Sequence, residues 1–172
     1  ALFDKKDIWC AAAQMGRLGY LKTLLAAGAD INEEQGVAIR CMSMAGRLDA
    51  VKFLFERGAK IEFIESEDII DSGIQASSAL LAALIHSNFH VVDYLLEQGA
   101  DIDFYNGWAL QECVGSGYLY KMEYVIEKGA DVNIDDGHAL RKACLNNKKA
   151  VFFLVNCGAK VNLHKGCAEV RD

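Results

Sequence analysis

The sequence predicts an all-α fold, a solenoid of stacked helix-turn-helix units joined by short hairpin-like tips. Three observations predict it. First, the phrase Gly-Ala-Asp or Gly-Ala-Lys is written five times, starting at Gly28, Gly58, Gly99, Gly129 and Gly158, with spacings of 30, 41, 30 and 29 residues. Recurrence at that length marks stacked-repeat architectures. Second, a turn residue lies twelve positions before each of the first four glycines (Gly16, Gly46, Ser87, Gly117), and a large apolar residue lies seven before that (Trp9, Ile39, Leu80, Leu110). Third, the stretch between turn and phrase has helical periodicity, as in Leu21, Leu24, Leu25 or Val91, Val92, Leu95, Leu96; apolar residues at i, i+3 and i+4 share one helix face.

Each unit therefore reads as a short helix, a tight turn, a longer helix and a glycine-capped exit. The first helices are rich in small residues, such as Cys10-Ala11-Ala12-Ala13 and Ala82-Ala83, which let neighbouring helices approach closely. The phrase glycine stands where a helix end needs positive φ, which a residue without Cβ adopts freely. After it, Asp-Ile-Asn or Asp-Val-Asn is expected to run extended toward a tip. The next helix then starts on a similar string: Val37-Ala38-Ile39, Ser78-Ala79-Leu80, Trp108-Ala109-Leu110 or His138-Ala139-Leu140.

The units fall at about 4–33, 34–61, 76–103, 104–133 and 134–162 of one domain spanning 1–172. Residues 62–75 are an insertion in the tip between the second and third units. Ser66 is placed to N-cap a short helix within it, with Glu67 and Asp68 in the first turn. The fifth unit is one residue short: Leu140 to Gly158 is 18 positions, against 19 for Leu110 to Gly129. A turn tolerates deletion better than a packed helix, so the loss is expected near Asn146-Asn147. Residues 163–172 are the start of a truncated repeat or a C-terminal cap.

This pattern resembles the ankyrin repeat family over nearly the whole chain. The best-matched strings are Gly-Ala-Asp-Ile-Asn (28–32), Gly-Ala-Asp-Val-Asn (129–133), Ala50-Val51-Lys52-Phe53-Leu54 and Val91-Val92-Asp93-Tyr94-Leu95-Leu96. The family's Thr-Pro-Leu-His helix start is absent. Ala38, Ala79, Ala109 and Ala139 stand at its proline position, and the chain contains no proline. Short, proline-poor units are similar to the subtype common in large DNA viruses and some protists, which implies a viral or host-interaction effector.

Composition narrows the function classes. A net charge of −6 and a pI near 5.2 argue against a phosphate-backbone binder, so no nucleic acid is expected. Apolar runs such as Ala79–Ile85 fall far short of a membrane span. Six evenly spread cysteines with no Cys-x-x-Cys pair imply reduced thiols in a cytoplasmic or nuclear protein. No nucleophile elbow, phosphate loop or His-Glu-x-x-His string is present, so neither catalysis nor a cofactor is expected. His86 and His90 have the spacing of two metal ligands, but they straddle the turn at Ser87-Asn88 and supply too few donors for a site. The carboxylates at 62–71 lack the alternating ligands and central glycine of a calcium loop.

What the resemblance implies is recognition of another protein, through tips and the concave face of the first helices. In this register the tip residues are Glu33, Glu34, Gln35, Val37, Phe104, Tyr105, Trp108, Asp135, Asp136 and His138. The pre-turn contacts are Gln14, Met15, Met44, Ile85 and His86, with Arg40 and Arg141 lining the same face. Glu65, Glu67, Asp68 and Asp71 of the insertion offer contacts to a basic or mixed-charge partner. Phe104, Tyr105 and Trp108 are the sharpest candidates, because aromatics anchor interfaces at low entropic cost. Tyr105 is expected to be exposed; Trp108 either faces outward or packs against the adjacent unit. The chain is expected to be monomeric by itself. A second reading is the targeting arm of a larger enzyme or ubiquitin-ligase complex.

Overall fold

The computed structural model describes residues 5–15, 18–63 and 77–161. Among them the chain forms ten helices and one pair of short strands: α1 (Lys5–Met15), α2 (Leu18–Ala26), α3 (Glu33–Met44), α4 (Leu48–Phe55), β1 (Glu62–Phe63), β2 (Ser77–Ser78), α5 (Ala79–Ile85), α6 (Phe89–Glu97), α7 (Phe104–Ser116), α8 (Leu119–Glu127), α9 (Ile134–Asn146) and α10 (Lys148–Asn156). The chain divides into two compact units, residues 1–100 and 101–172.

In the first unit α1, α3 and α5 lie side by side, and α2, α4 and α6 form a second layer behind them. Trp9, Leu21, Ile39, Met42, Leu54, Leu80, Leu84 and Leu95 fill the space between the layers. Ala38, Ala79 and Ala83 are fully buried there, as close helix packing requires. In the second unit α7 packs beside α9 and α8 beside α10, over a core that includes Leu110, Met122, Ala143 and Leu154.

Every second helix ends alike. Gly28, Gly58, Gly99, Gly129 and Gly158 have φ of 90°, 88°, 91°, 100° and 94°. The following alanine amides return to Leu24, Leu54, Leu95, Val125 and Leu154 carbonyls at 3.1, 3.1, 3.0, 3.1 and 2.9 Å. This is the Schellman closure, which satisfies carbonyls a helix end would otherwise leave open. The expected contrast between a short first helix and a longer second one holds for α5 and α6, 7 against 9 residues, but not for α3 and α4, where the right-handed part from Val37 to Met44 matches α4 in length. The deletion in the fifth unit falls at its turn, where Asn147 alone separates α9 from α10 while Gly117 and Tyr118 separate α7 from α8.

The tips differ from expectation. Asn32, Asp103 and Asn133 have ψ of 7°, 10° and 1°, so the segment is not extended. Glu34-Gln35-Gly36, Tyr105-Asn106-Gly107 and Asp135-Asp136-Gly137 then each make a left-handed turn, with φ between 46° and 71° throughout. Glycine takes that backbone freely and asparagine and aspartate tolerate it, whereas Glu34, Gln35 and Tyr105 are strained there. Side chains link successive tips. Asn32 Nδ2 donates to Gly58 O at 3.1 Å while its Oδ1 accepts from Lys60 N at 2.8 Å. Asn133 repeats both bonds with Gly158 O and Lys160 N, at 3.2 and 2.8 Å.

The insertion begins and ends on a clasp. β1 and β2 pair antiparallel, Glu62 with Ser78 and Phe63 with Ser77, and Ala79 N donates to Ile61 O at 3.0 Å. The helix expected after Ser66 lies outside the described residues.

Candidate functional site

The outward ends of the first helices follow from helix geometry. A residue five positions after a core residue is rotated about 140° from it, hence toward the opposite face. Counting from Trp9, Ile39 and Leu80 gives Gln14, Met44 and Ile85, and all three are exposed, as is Met15. The neighbouring repeat caps the ends of α1 and α3. Asn88 Nδ2 donates to Ser43 O and Met44 O at 3.0 and 2.8 Å. Arg47 reaches Ala13 O and Gln14 O at 3.2 and 3.4 Å. Met44 and Ile85 thus hold one register position on adjacent helices, and Met15 lies one position beyond it on α1; all three large apolar side chains are exposed. His86, also exposed, has its Nδ1 3.1 Å from Ala82 O.

The same count from Leu140 reaches Leu145, which is 79% exposed. It is not among the expected contacts, though the register position of Met44 and Ile85 points to it directly. The matching residue on α7 is Gly115, which offers no side chain.

At the tips the candidates separate into several roles. Val37 is 1% exposed and belongs to the core, which removes it from the contact surface; as the first right-handed residue of α3 it packs inward with Ala38 and Ile39. Glu33 accepts from the buried Trp9 indole Nε1 at 3.2 Å. Arg40 donates to Glu34 O at 3.0 Å, and Gln111 to Asn106 O at 2.7 Å. Arg141 donates to Asp136 O and Asp135 O at 2.9 and 3.3 Å. These three residues hold one position in register, where each fastens the carbonyls of its own left-handed turn. Arg40 and Arg141 thus have a structural task that the sequence reading did not see. Removing the clamp with Arg141→Ala is expected to cost about 1–2 kcal/mol of stability, with Arg141→Lys recovering less than half, since an ammonium cannot span two carbonyls as a guanidinium does. Urea unfolding checks it; an unchanged midpoint would leave Arg141 as a surface residue only.

Asp135 faces His138 Nδ1 at 3.1 Å and Arg141 at 3.9 Å, while Asp136 is exposed. Phe104, Tyr105 and Trp108 cluster, with centroids 6.5 Å apart for the first pair and 5.3 Å for the second. All three are half-buried, Tyr105 included, where exposure was expected. Glu65, Glu67, Asp68 and Asp71 lie outside the described residues. No group of three or more His, Cys, Asp or Glu among the described residues could hold a metal ion. Burial pushes the Cys113 thiol up to about 12, against a smaller opposing pull from Lys121.

A family model described as ankyrin repeats in three copies matches residues 41–136. The chain belongs to the ankyrin repeat family. Its ankyrin architecture is all-α apart from the β1–β2 clasp, and ankyrin repeats are in general protein–protein interaction modules. Among solved structures, the human ASB11 ankyrin repeat domain is similar to it in fold. That likeness has a TM-score of 0.63 and 24% identity, and it covers 88% of this chain and 69% of the other. No curated protein matches the chain. No described helix is long and apolar enough to cross a membrane.

Proposed function

We propose that this ankyrin chain is a non-catalytic module that binds a partner protein through the exposed ends of its first helices and its tips, as an adaptor, inhibitor or effector. The observation that carries the reading is the set Met15, Met44 and Ile85, three exposed large apolar side chains at the ends of adjacent helices. Each is 38–59% exposed, so a partner that covers it gains about half of the roughly 1.5–3 kcal/mol of a fully exposed side chain, and a few anchors dominate protein interfaces. Methionine adapts its shape to irregular partners. The exposed Asp131 and Asp136 favour a partner with a basic or mixed-charge rim. The described cysteines are all unbridged, and Cys41 and Cys113 are buried, which supports a cytoplasmic or nuclear setting.

The test compares the full chain with a Met15→Glu, Met44→Glu, Ile85→Glu variant by proximity cross-linking in the native cell. Partner recovery is expected to fall at least about tenfold with the helical circular dichroism unchanged, because three buried carboxylates cost far more than one anchor contributes. Equal recovery by both forms would overturn the proposed surface. Recovery of ubiquitin-ligase subunits by both forms would assign the chain the role of a targeting arm.

A further inference from the structure

The tip bridges contain one substitution whose chemistry differs from the others. Asn32, Asp103 and Asn133 each lie four residues after a phrase glycine. The two asparagines make two bonds of opposite sense, accepting from one backbone N–H and donating to one backbone carbonyl of the next tip. Asp103 instead turns both carboxylate oxygens to Asp131 N, each at 3.1 Å. Gly129 O is the counterpart of Gly58 O and Gly158 O, yet an ionised carboxylate cannot donate to it. Two lone-pair-bearing oxygens repel, so an ionised carboxylate gains nothing from Gly129 O, and both its oxygens share a single amide.

We propose that Asp103 is a proton-operated latch: ionised it holds the neighbouring tip by one shared amide, and protonated it closes a second bond, from its hydroxyl to Gly129 O. The proton comes from solvent, which reaches this half-buried carboxyl. The charges acting on Asp103 from its own tip and from the neighbouring one are Asp101 and Asp131, both negative. On α9, Asp135 is engaged by His138 and Arg141. Partial burial first, then the like charges of Asp101 and Asp131, raise the Asp103 pKa above 3.8, against the opposing Asp131 N–H bond. An acid raised in the folded state stabilises the fold while protonated. That contribution is fully present below the unfolded value and is lost as pH rises through the folded one. The latch therefore tightens on acidification, opposite to the usual carboxylate.

The experiment uses the full chain as wild type, Asp103→Asn and Asp103→Ala, melted at about pH 7 and about pH 4.5, with Asp103 followed by carboxyl-carbon NMR. Asparagine carries the missing donor permanently, so near pH 7 Asp103→Asn is expected to melt about 2–4 °C above wild type, for roughly one added hydrogen bond. The gap is expected to narrow on acidification, and the Asp103 midpoint to lie above 3.8. Asp103→Ala must not share the gain, because it removes the charge without supplying a donor. A gain for alanine equal to that for asparagine would reduce the effect to charge repulsion and overturn the latch. So would a gap that does not change with pH, or an Asp103 midpoint at or below 3.8.

Discussion

Replacing Gly107 by alanine is expected to destabilise the chain by about 3 kcal/mol, a left-handed penalty of about 1 kcal/mol plus about 2 for overpacking. Gly107 has φ of 71°, is buried, and would point a Cβ into Ile134 Cγ2 of the next tip. Gly129 supplies the control. Its φ is 100° and a Cβ there meets nothing within 4 Å, so Gly129→Ala should show the backbone penalty alone, about 1–2 kcal/mol. Combining Gly107→Ala with Ile134→Ala should return part of the loss, since sites in contact couple. Urea midpoints at constant slope measure all four chains. Equal losses at positions 107 and 129 would show that the two tips do not meet as described.

Two leucines on α9 make the second test. Leu140 is 2% exposed and Leu145 is 79% exposed, five residues apart on one helix. Leu140→Ala is expected to cost about 3 kcal/mol through lost burial and the cavity left behind, whereas Leu145→Ala should stay within about 0.5 kcal/mol of wild type. Thermal unfolding of the two variants decides it. A large loss at Leu145 would mean that its side chain is covered in the folded chain. A negligible loss at Leu140 would break the repeat register, because Leu140, Leu110, Leu80 and Ile39 share one position.

How far the residues announced this structure depends on whether the cause was local. The phrase glycines specified their helix ends because positive φ is a property of one residue, and all five adopt it. The left-handed turns were hidden, since Glu34, Gln35 and Tyr105 have no preference for that backbone. Gly36, Gly107 and Gly137 were visible only as residues preceding a helix. The tip asparagines were visible as phrase endings, but their bonds go to carbonyls and amides 25 to 28 residues onward, a distance that composition and periodicity do not encode. Val37 was misplaced for a related reason. Trp108 and His138 hold its register position half-exposed, and only the packing around each one separates valine from its counterparts. Arg40 and Arg141 were expected to line the contact face, and their fastening of the turn carbonyls depends on the hidden left-handed backbone.

The β1–β2 clasp has a practical corollary. Two chain ends are held as neighbours at Phe63 and Ser77, and opposed residues in such a pair sit about 5 Å apart. A foreign cassette spliced there, whether a fluorophore-bearing peptide or an epitope, would start and finish at nearly the same place. Doubling the length of a flexible cassette should cost only about 0.6 kcal/mol. The clasp is thus a docking port for engineering, where cargo can be exchanged while the helical layers stay as they are.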